Sequence, residues 1–194
     1  MKHLVIIGTG NIGQIVHWYA SLSSDYMKKW DIKCHIDDVE TYEIEPDDVF
    51  VNAEVKATDR FNLSKIIRDK GGVFVNIIHP TANIAPTAML GTGIVVGAFT
   101  TISINTDIKN DVLIQDHCNV GHDVIIEDGS HLYVGVKLCG KNCIGQMSSI
   151  YTGAVVYPHI KIGACSTIGA GSVVSRKVKE GETVLGNPAK KIEL

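Results

Sequence analysis

Sixteen aliphatic residues stand at every sixth position from Ile84 to Val174, with no insertion between them. They run Ile84, Leu90, Val96, Ile102, Ile108, Ile114, Val120, Ile126, Leu132, Leu138, Ile144, Ile150, Val156, Ile162, Ile168 and Val174. A six-residue period matches neither an amphipathic helix nor an alternating strand. It matches a parallel β-helix, in which each hexad supplies one short strand and one turn. Three hexads, eighteen residues, close one triangular coil. The position two before each repeat aliphatic is often small, as at Ala82, Ala88, Thr100, Thr106, Cys118, Ser130, Ser148, Ala154, Ser166 and Ser172. Small side chains belong where the chain rounds a tight prism corner.

Charge and composition narrow the classes of partner. Eighteen basic residues stand against 21 acidic ones, for a formal net charge of −3. Nucleic acid or an anionic membrane needs a concentrated basic surface, and none is present in the sequence. The apolar start, Leu4 to Ile7, is too short for a signal peptide or a membrane span. The five cysteines, Cys34, Cys118, Cys139, Cys143 and Cys165, form no Cys-x-x-Cys pair. They read as buried small hydrophobes in a reducing cytoplasm rather than as a disulfide or zinc framework.

Residues 1–80 are patterned differently from residues 81–194. Leu4–Ile7 reads as a strand, followed by Gly8-Thr9-Gly10-Asn11-Ile12-Gly13 and a helix from Gln14 to Leu22. Strands are expected at Ile32–Ile36, Val49–Val51 and Val73–Ile78, with a helix from Asn62 to Lys70. Alternating strands and helices imply a small parallel sheet, a Rossmann-like α/β unit. His79-Pro80 then opens the solenoid, and Arg176–Leu194 leaves the hexad register as a cap on its open end. The glycine loop lies between a strand and a helix, the context in which backbone can approach a phosphate and a helix N-terminus can hold it. Asp37-Asp38, ending the second strand, stand where such folds meet the ribose or base. Eighty residues supply one mononucleotide half, so a nucleotide sugar suits this unit better than a dinucleotide. A tight glycine turn with no ligand is the alternative.

Three histidines, His117, His122 and His131, fall within fifteen residues, and Asp123 follows His122. An imidazole held by a carboxylate is a general base suited to neutral pH. Gly140 is eighteen residues beyond His122, hence one coil above it at a strand spacing of about 4.8 Å. Its N–H is thereby placed to reach a carbonyl oxygen near the imidazole. His131 lies half a coil from His122 and faces another side of the prism, so the two meet only between subunits. His17 and His159 read as solvated surface residues, and His117 as a structural or a site residue.

With these motifs, the chain resembles the PglD/NeuD-like hexapeptide-repeat sugar acyltransferases. The resemblance runs from the glycine loop and Ile36-Asp37-Asp38 through Asn76–Ala82 into the repeat. Its most specific stretches are Asn119–Asp123, Ser130–Gly135 and Gly186–Lys190. It implies a left-handed β-helix, against the usual right-handed crossover, assembled as a homotrimer with acetyl-CoA between neighbouring prisms. It further implies that His122 is the catalytic base and Asp123 its acidic partner. His131 would touch the acetyl group or thioester, Gly140 would donate to the acetyl carbonyl, and Thr152 and Lys161 would contact the cofactor. A nucleotide sugar, UDP-linked in the family's amino-sugar N-acetyltransferases, would lie on Gly8, Gly10, Asn11, Ile12, Gly13, Asp37 and Asp38, with Lys56 and Arg60 adding contacts. No metal is called for. The stretch Ala53–Arg60 lacks the glycine usual in the family, and the glycine loop carries Asn11-Ile12 where a histidine is often found.

Other functions fit parts of this pattern. The acceptor group would be an amine in UDP-amino-sugar N-acetylation and a hydroxyl in sialic acid O-acetylation. A zinc hydratase similar to the γ-class carbonic anhydrases would share the solenoid, with imidazoles from His117, His122 and a neighbour. That class places a further histidine where this chain has Glu127. A non-catalytic nucleotide-binding module is the remaining alternative.

Overall fold

The computed structural model describes residues 1–193; Leu194, the last residue of the expected cap, lies outside the described residues. All sixteen repeat aliphatics close two-residue strands, from Asn83–Ile84 to Val173–Val174. From Asn83–Ile84 to Val155–Val156, each strand pairs in parallel with the one eighteen residues on, as Asn119↔Lys137 and Val120↔Leu138. The stack forms three walls: an eight-stranded wall I, a six-stranded wall II and a five-stranded wall III. Fourteen of the sixteen repeat aliphatics are buried. Ile84 and Leu90, in the first coil, pack partly covered against the same core. At about 1.5–3 kcal/mol for each fully buried aliphatic side chain, this column dominates the stability of the prism.

The corners are built by two positions, one expected and one not. The small residue two before each repeat aliphatic points inward, and its hydroxyl binds the next corner: Thr100 Oγ1 donates to Gln115 O at 2.8 Å. Ser130 Oγ and Ser148 Oγ do the same to Gly145 O and Gly163 O. The second position is three after each repeat aliphatic, where φ is positive at every sixth residue from Gly93 to Gly171. Nine of these fourteen residues are not glycine, among them His117, Asp123 and His159. Turn geometry, not side-chain chemistry, is what repeats there.

The N-terminal unit holds a parallel sheet in the order β2-β1-β3-β4. Its elements are β1 (Lys2–Ile7), α1 (Asn11–Leu22), β2 (Trp30–Ile36), β3 (Asp48–Asn52), α2 (Ala57–Asp69) and β4 (Val73–Phe74). Both helices begin earlier than the apolar spacing predicts, α1 in the glycine loop itself and α2 at Ala57. The expected fourth strand is two strands: β4 pairs with β3, whereas β5 (Ile77–Ile78) pairs with Val95–Val96 in wall I. One face of the sheet, with α1, packs on wall I through Ile77, Val95 and Leu113. The other face packs α2 through Val5, Ile7, Phe50 and Ile67. At the far end, Thr183–Leu185 adds a rung to wall I and Lys190–Ile192 folds back antiparallel on it. This hairpin stands on the last rung of wall I, in the stretch where the sequence leads one to expect a cap.

Two clamps hold the N-terminal unit across wall I. On the α1 side, Tyr19 Oη donates to Asp116 Oδ1, which also accepts the Ala98 N–H at 2.6 Å. Burial, then the hydrogen bond to Asp116, push the Tyr19 phenol well above its ordinary value. On the α2 side, Arg60 is fully buried and spends all five N–H groups on backbone carbonyls. It donates to Asp111 O at 3.0 Å, Glu54 O at 2.7 Å, Val55 O at 3.2 Å, Gly129 O at 2.7 Å and Ser130 O at 3.0 Å. Burial lowers its pKa to about 10, which leaves the guanidinium charged at neutral pH. Arg60 therefore joins α2 to the corner between walls III and I, and has no donor left for a sugar nucleotide. Beside it, burial pushes the Asp111 carboxyl up to about 6 against the pull of Arg68, whose Nη2 lies 2.9 Å from it.

Replacing Arg60 with methionine keeps most of the volume and strands three carbonyls, those of Glu54, Asp111 and Gly129, since Val55 O and Ser130 O keep His131 and Leu113 as donors. Unpaired buried polar groups cost about 1–3 kcal/mol each before relaxation, so Arg60→Met should lose at least about 3 kcal/mol in a denaturant titration. A midpoint equal to that of the wild type would remove Arg60 from this role.

Candidate active site

His122 and Gly140 meet at the corner between walls II and III. His122 follows the strand Asn119–Val120, and Gly140 occupies the same place one coil later. The imidazole lies directly over the glycine. A methyl group built on Gly140 would stand 2.5 Å from His122 Nε2 and 2.6 Å from Cε1. Gly121 is equally constrained: a methyl there would lie 2.8 Å from the Gly140 nitrogen. Among the described residues the Gly140 N–H has no hydrogen-bond acceptor, while its neighbour Lys141 donates to His122 O at 2.8 Å.

Asp123 occupies the positive-φ corner position, with φ of 56°, which turns its carboxylate back onto His122. His122 Nδ1 lies 2.7 Å from Asp123 Oδ2. A carboxylate only accepts, so Nδ1 carries the proton and Nε2 keeps its lone pair. From the coil below, Asn105 Nδ2 donates to Asp123 Oδ1 at 3.2 Å. The His122 bond, then the Asn105 bond, hold the Asp123 carboxyl below the usual carboxylate range. The outcome is an oriented imidazole, half exposed, with a free lone pair beside a free backbone N–H. That arrangement can take a proton and stabilise developing negative charge at one place.

His131 is elsewhere. It opens the strand His131–Leu132 in wall I, beneath the N-terminal unit, and is 0% exposed. Its Nδ1 lies 2.9 Å from Val55 O, so Nδ1 is the donor, and its ring stacks 3.7 Å from that of Tyr133. Nε2 is buried without a partner. The expectation that this ring faces acetyl-CoA across a subunit boundary is thus corrected: α2 and its preceding loop cover it. Burial, then the nearby Arg60 charge, push its pKa down to about 3. His117 sits at the corner between walls I and II, stacked on Phe99 at 5.2 Å, and does not join His122. No cluster of three metal-ligating side chains exists among the described residues.

Thr152 and Lys161 are not neighbours in one protomer. Thr152 stands at the corner between walls I and II, and Lys161 on wall III. Lys161 shares the rim of a cavity of about 420 Å³ with Lys177 and Lys179. Sequence reasoning passed over these two lysines because they lie beyond the hexad register.

The glycine loop is tightly built. Gly8 has φ of +115° and its N–H donates to Ile36 O at 2.7 Å. Gly13 packs so closely that a side chain there would overlap the Gly8 carbonyl. α1 starts at Asn11 with Gly10 before it, no side-chain cap and no acidic residue in its first turn. Free N–H groups of this kind favour an anion. Asp37 braces the loop, accepting the Thr9 N–H at 2.9 Å and the Thr9 hydroxyl at 2.5 Å. Asp38 accepts from Glu40 and Thr41, first and foremost the Thr41 hydroxyl, which holds its carboxyl below the usual range. Both carboxylates therefore already shape the loop. Lys56 is exposed before α2 and pairs with Asp59 at 3.2 Å. Ile12 lines a cavity of about 80 Å³ between α1 and wall I, with Ile15, Tyr19, Gln115, Asp116 and Val134. His17 is exposed, as expected, and its Nδ1 lies 3.0 Å from His35 Nε2.

No protein-family model matches the chain. The GDP-perosamine N-acetyltransferase of Escherichia coli O157:H7 is 34% identical over 124 residues, which are 61% of this chain and 56% of that protein. The match thus spans just over half the length of this curated relative. Among solved structures, the acetyltransferase domain of PglB from Neisseria gonorrhoeae in complex with acetyl coenzyme A is 27% identical, with a TM-score of 0.89 over 98% of this chain and 99% of that one. A histidine-to-asparagine variant of perosamine N-acetyltransferase from Caulobacter crescentus, in complex with CoA and GDP-perosamine, is 25% identical, with a TM-score of 0.91 over 100% of this chain and 98% of that one. These relatives bear out the resemblance to hexapeptide-repeat sugar acyltransferases.

The buried His131 generates a pH test. Its folded pKa, about 3, is below the ordinary imidazole value of 6.5, so the unfolded chain binds more protons between them. Stability from this group is complete above about 6.5 and is lost as pH falls towards 3. Asp111, raised to about 6, acts in the opposite direction over roughly pH 4–6, so variant and wild type must be compared pairwise. His131→Gln should lose less stability than the wild type when unfolding is measured at pH 7 and again at pH 4. Equal losses would contradict the burial described.

Proposed function

We propose that the chain is an acetyl-CoA-dependent N-acetyltransferase acting on the amino group of a nucleotide-linked sugar. The observation that carries this reading is the His122–Asp123 pair held against the free Gly140 N–H. In the reaction, His122 Nε2 removes a proton from the amine as its nitrogen attacks the thioester carbon. The Gly140 N–H donates to the carbonyl oxygen as negative charge develops there. The new N–C bond forms, the C–S bond breaks, and the His122 proton passes to the departing CoA sulfur. Asp123 keeps Nε2 aimed outward and stabilises the imidazolium that exists between these steps. When bound, acetyl-CoA supplies the activated acyl group. The residues fit it: an open edge at Gly140, and Lys161, Lys177 and Lys179 as partners for its phosphates. Thr152, on another corner, would serve a cofactor lying against a neighbouring protomer.

The acceptor nucleotide is assigned to Gly8, Gly10, Asn11, Ile12 and Gly13, with Asp37 and Asp38 as the brace and border of that loop. Lys56, exposed before α2, is assigned to it as well. The sugar would extend past Ile12 towards the small cavity at Tyr19 and Asp116. The relatives act on or bind GDP-perosamine by name, so a GDP carrier is weighed beside UDP. His122 lies at the corner opposite wall I, whereas the glycine loop lies over wall I. An acceptor held at one protomer's loop therefore needs the base of another. On this reading the prisms assemble, as a homotrimer, with each site shared between chains.

The test is a thiol-release assay with acetyl-CoA against a panel of UDP- and GDP-linked sugars bearing either a free amine or only hydroxyls. Acetylation of amino sugars is expected. Transfer only to hydroxyls would favour an O-acetyltransferase, and transfer to none would end the proposal. His122→Ala should reduce turnover by about a hundredfold or more. Gly140→Ala pushes a methyl into the imidazole and should lower turnover by about tenfold or more, with the melting temperature little changed. Normal activity in both variants would remove His122 and Gly140 from the reaction, whereas nucleotide binding without any transfer by the wild type would point to a non-catalytic nucleotide-binding module.

A further inference from the structure

The Asp123 side chain is 40% exposed, so its bond to His122 does not by itself fix the carboxylate. Exposed side chains exchange rotamers rapidly, and each turn away from His122 releases the imidazole as well. The Lys141 charge, one coil above, attracts the same carboxylate. An anchor is needed from another direction, and the coil below supplies one.

Asn105 stands eighteen residues before Asp123, at the same corner position and with the same φ of 56°. Its Nδ2 donates to Asp123 Oδ1 at 3.2 Å, while Asp123 Oδ2 accepts from His122 Nδ1 at 2.7 Å. One carboxylate oxygen thus faces the coil below and the other faces the imidazole. A carboxylate is planar, so a donor on each oxygen sets its rotation, where a single donor leaves it free to pivot. The backbone makes a parallel link, since the Asp123 N–H donates to Ile104 O at 3.1 Å. Asn105 is placed in turn by its own N–H, which donates to Thr87 Oγ1 at 3.2 Å. Contacts therefore climb the corner between walls II and III from Thr87 through Asn105 and Asp123 to His122.

The residue type at position 105 meets two demands together. Left-handed backbone is tolerated by glycine, asparagine and aspartate better than by other residues. Of these three, only asparagine carries a side-chain donor. Aspartate would set a second carboxylate against the first, and glycine would leave Asp123 Oδ1 to water. A lysine would donate, but its charge would compete with the imidazole for both oxygens. A neutral donor holds one oxygen and leaves the other to His122.

We infer that Asn105 is a positioning residue for the reaction, keeping the His122 lone pair aimed outward by holding the far oxygen of Asp123. It does not bond the imidazole and acts through Asp123 alone. This rests on the reading of His122 as the base.

The experiment is a double-mutant cycle built with glycine, which takes up a left-handed corner without strain. Asn105→Gly, Asp123→Gly and the double variant are compared with the wild type in thiol release from acetyl-CoA, using the panel of UDP- and GDP-linked amino sugars. Melting temperatures are measured alongside. Asn105→Gly should lower kcat about three- to tenfold, with both KM values and the melting temperature little changed. In the Asp123→Gly background the same substitution should cost nothing further. Asn105→Asp should be slower than Asn105→Gly, because it repels the carboxylate that glycine only releases. Wild-type kcat in Asn105→Gly, an equal loss with and without Asp123, or Asn105→Asp faster than Asn105→Gly overturns this inference and leaves His122 as the base. Full turnover by His122→Ala, or no transfer by the wild type to any sugar of the panel, overturns both.

Discussion

The backbone ladder joining each residue to the one eighteen positions on is the constraint from which the rest of the molecule follows. It is a strict register, because a single inserted residue would move the buried aliphatics to the outside of every later coil. It also makes distance a matter of arithmetic. His122 and Gly140 are adjacent because they differ by eighteen, and Asn105 reaches Asp123 for the same reason. A site made this way needs no flexible loop to close around it. Its geometry is as rigid as the wall that carries it, which suits chemistry that depends on a fixed base beside a fixed donor.

The second organising contact is the seating of the N-terminal unit on wall I. Hydrophobic burial through Ile77, Val95 and Leu113 brings the two parts together, while Tyr19 and Arg60 fix their orientation at the two edges. The choice of arginine at position 60 has a physical basis. A planar guanidinium offers five donors at fixed angles, and the corner between walls III and I turns several carbonyls towards one point. Lysine, with one nitrogen, would leave some of them unpaired. The same carbonyl of Val55 accepts from Arg60 and from His131, so the cation also keeps the buried imidazole neutral.

Periodicity made the solenoid readable because every hexad repeats one burial decision. Sixteen concordant positions leave little room for another fold. His122, Asp123 and Gly140 were readable too, since the same arithmetic places them. What sequence could not supply was which outward-facing positions are covered. His131 looks like an exposed member of its strand until the N-terminal unit is docked over wall I. Arg60 looks like a solvent-facing ligand residue for the same reason, because a lone cation ahead of the expected helix carries no mark of the carbonyls that will surround it. Ile77–Ile78 reads as the continuation of the short strand before it, because nothing in an apolar pair marks the change of sheet. His17 and His35 lie eighteen residues apart in a part of the chain where that spacing has no meaning, and only the β1–β2 pairing beside α1 brings them together.

This docking has a consequence for how such a molecule must work. A triangular prism has one corner opposite each wall. The N-terminal unit occupies wall I, and His122 stands at the corner between the other two walls. The imidazole is therefore about as far from its own glycine loop as the prism permits. Neither end can move towards the other, because the intervening structure is a continuous hydrogen-bonded ladder rather than a hinge. If the loop carries the acceptor, the reacting group and the base come from separate copies. On that reading, the rigidity that fixes His122 also leaves the single chain incomplete. The exposed apolar residues along the prism edges, such as Phe99, Ile104 and Tyr157, are then surface that assembly would cover, and catalytic competence and oligomerisation become one property rather than two.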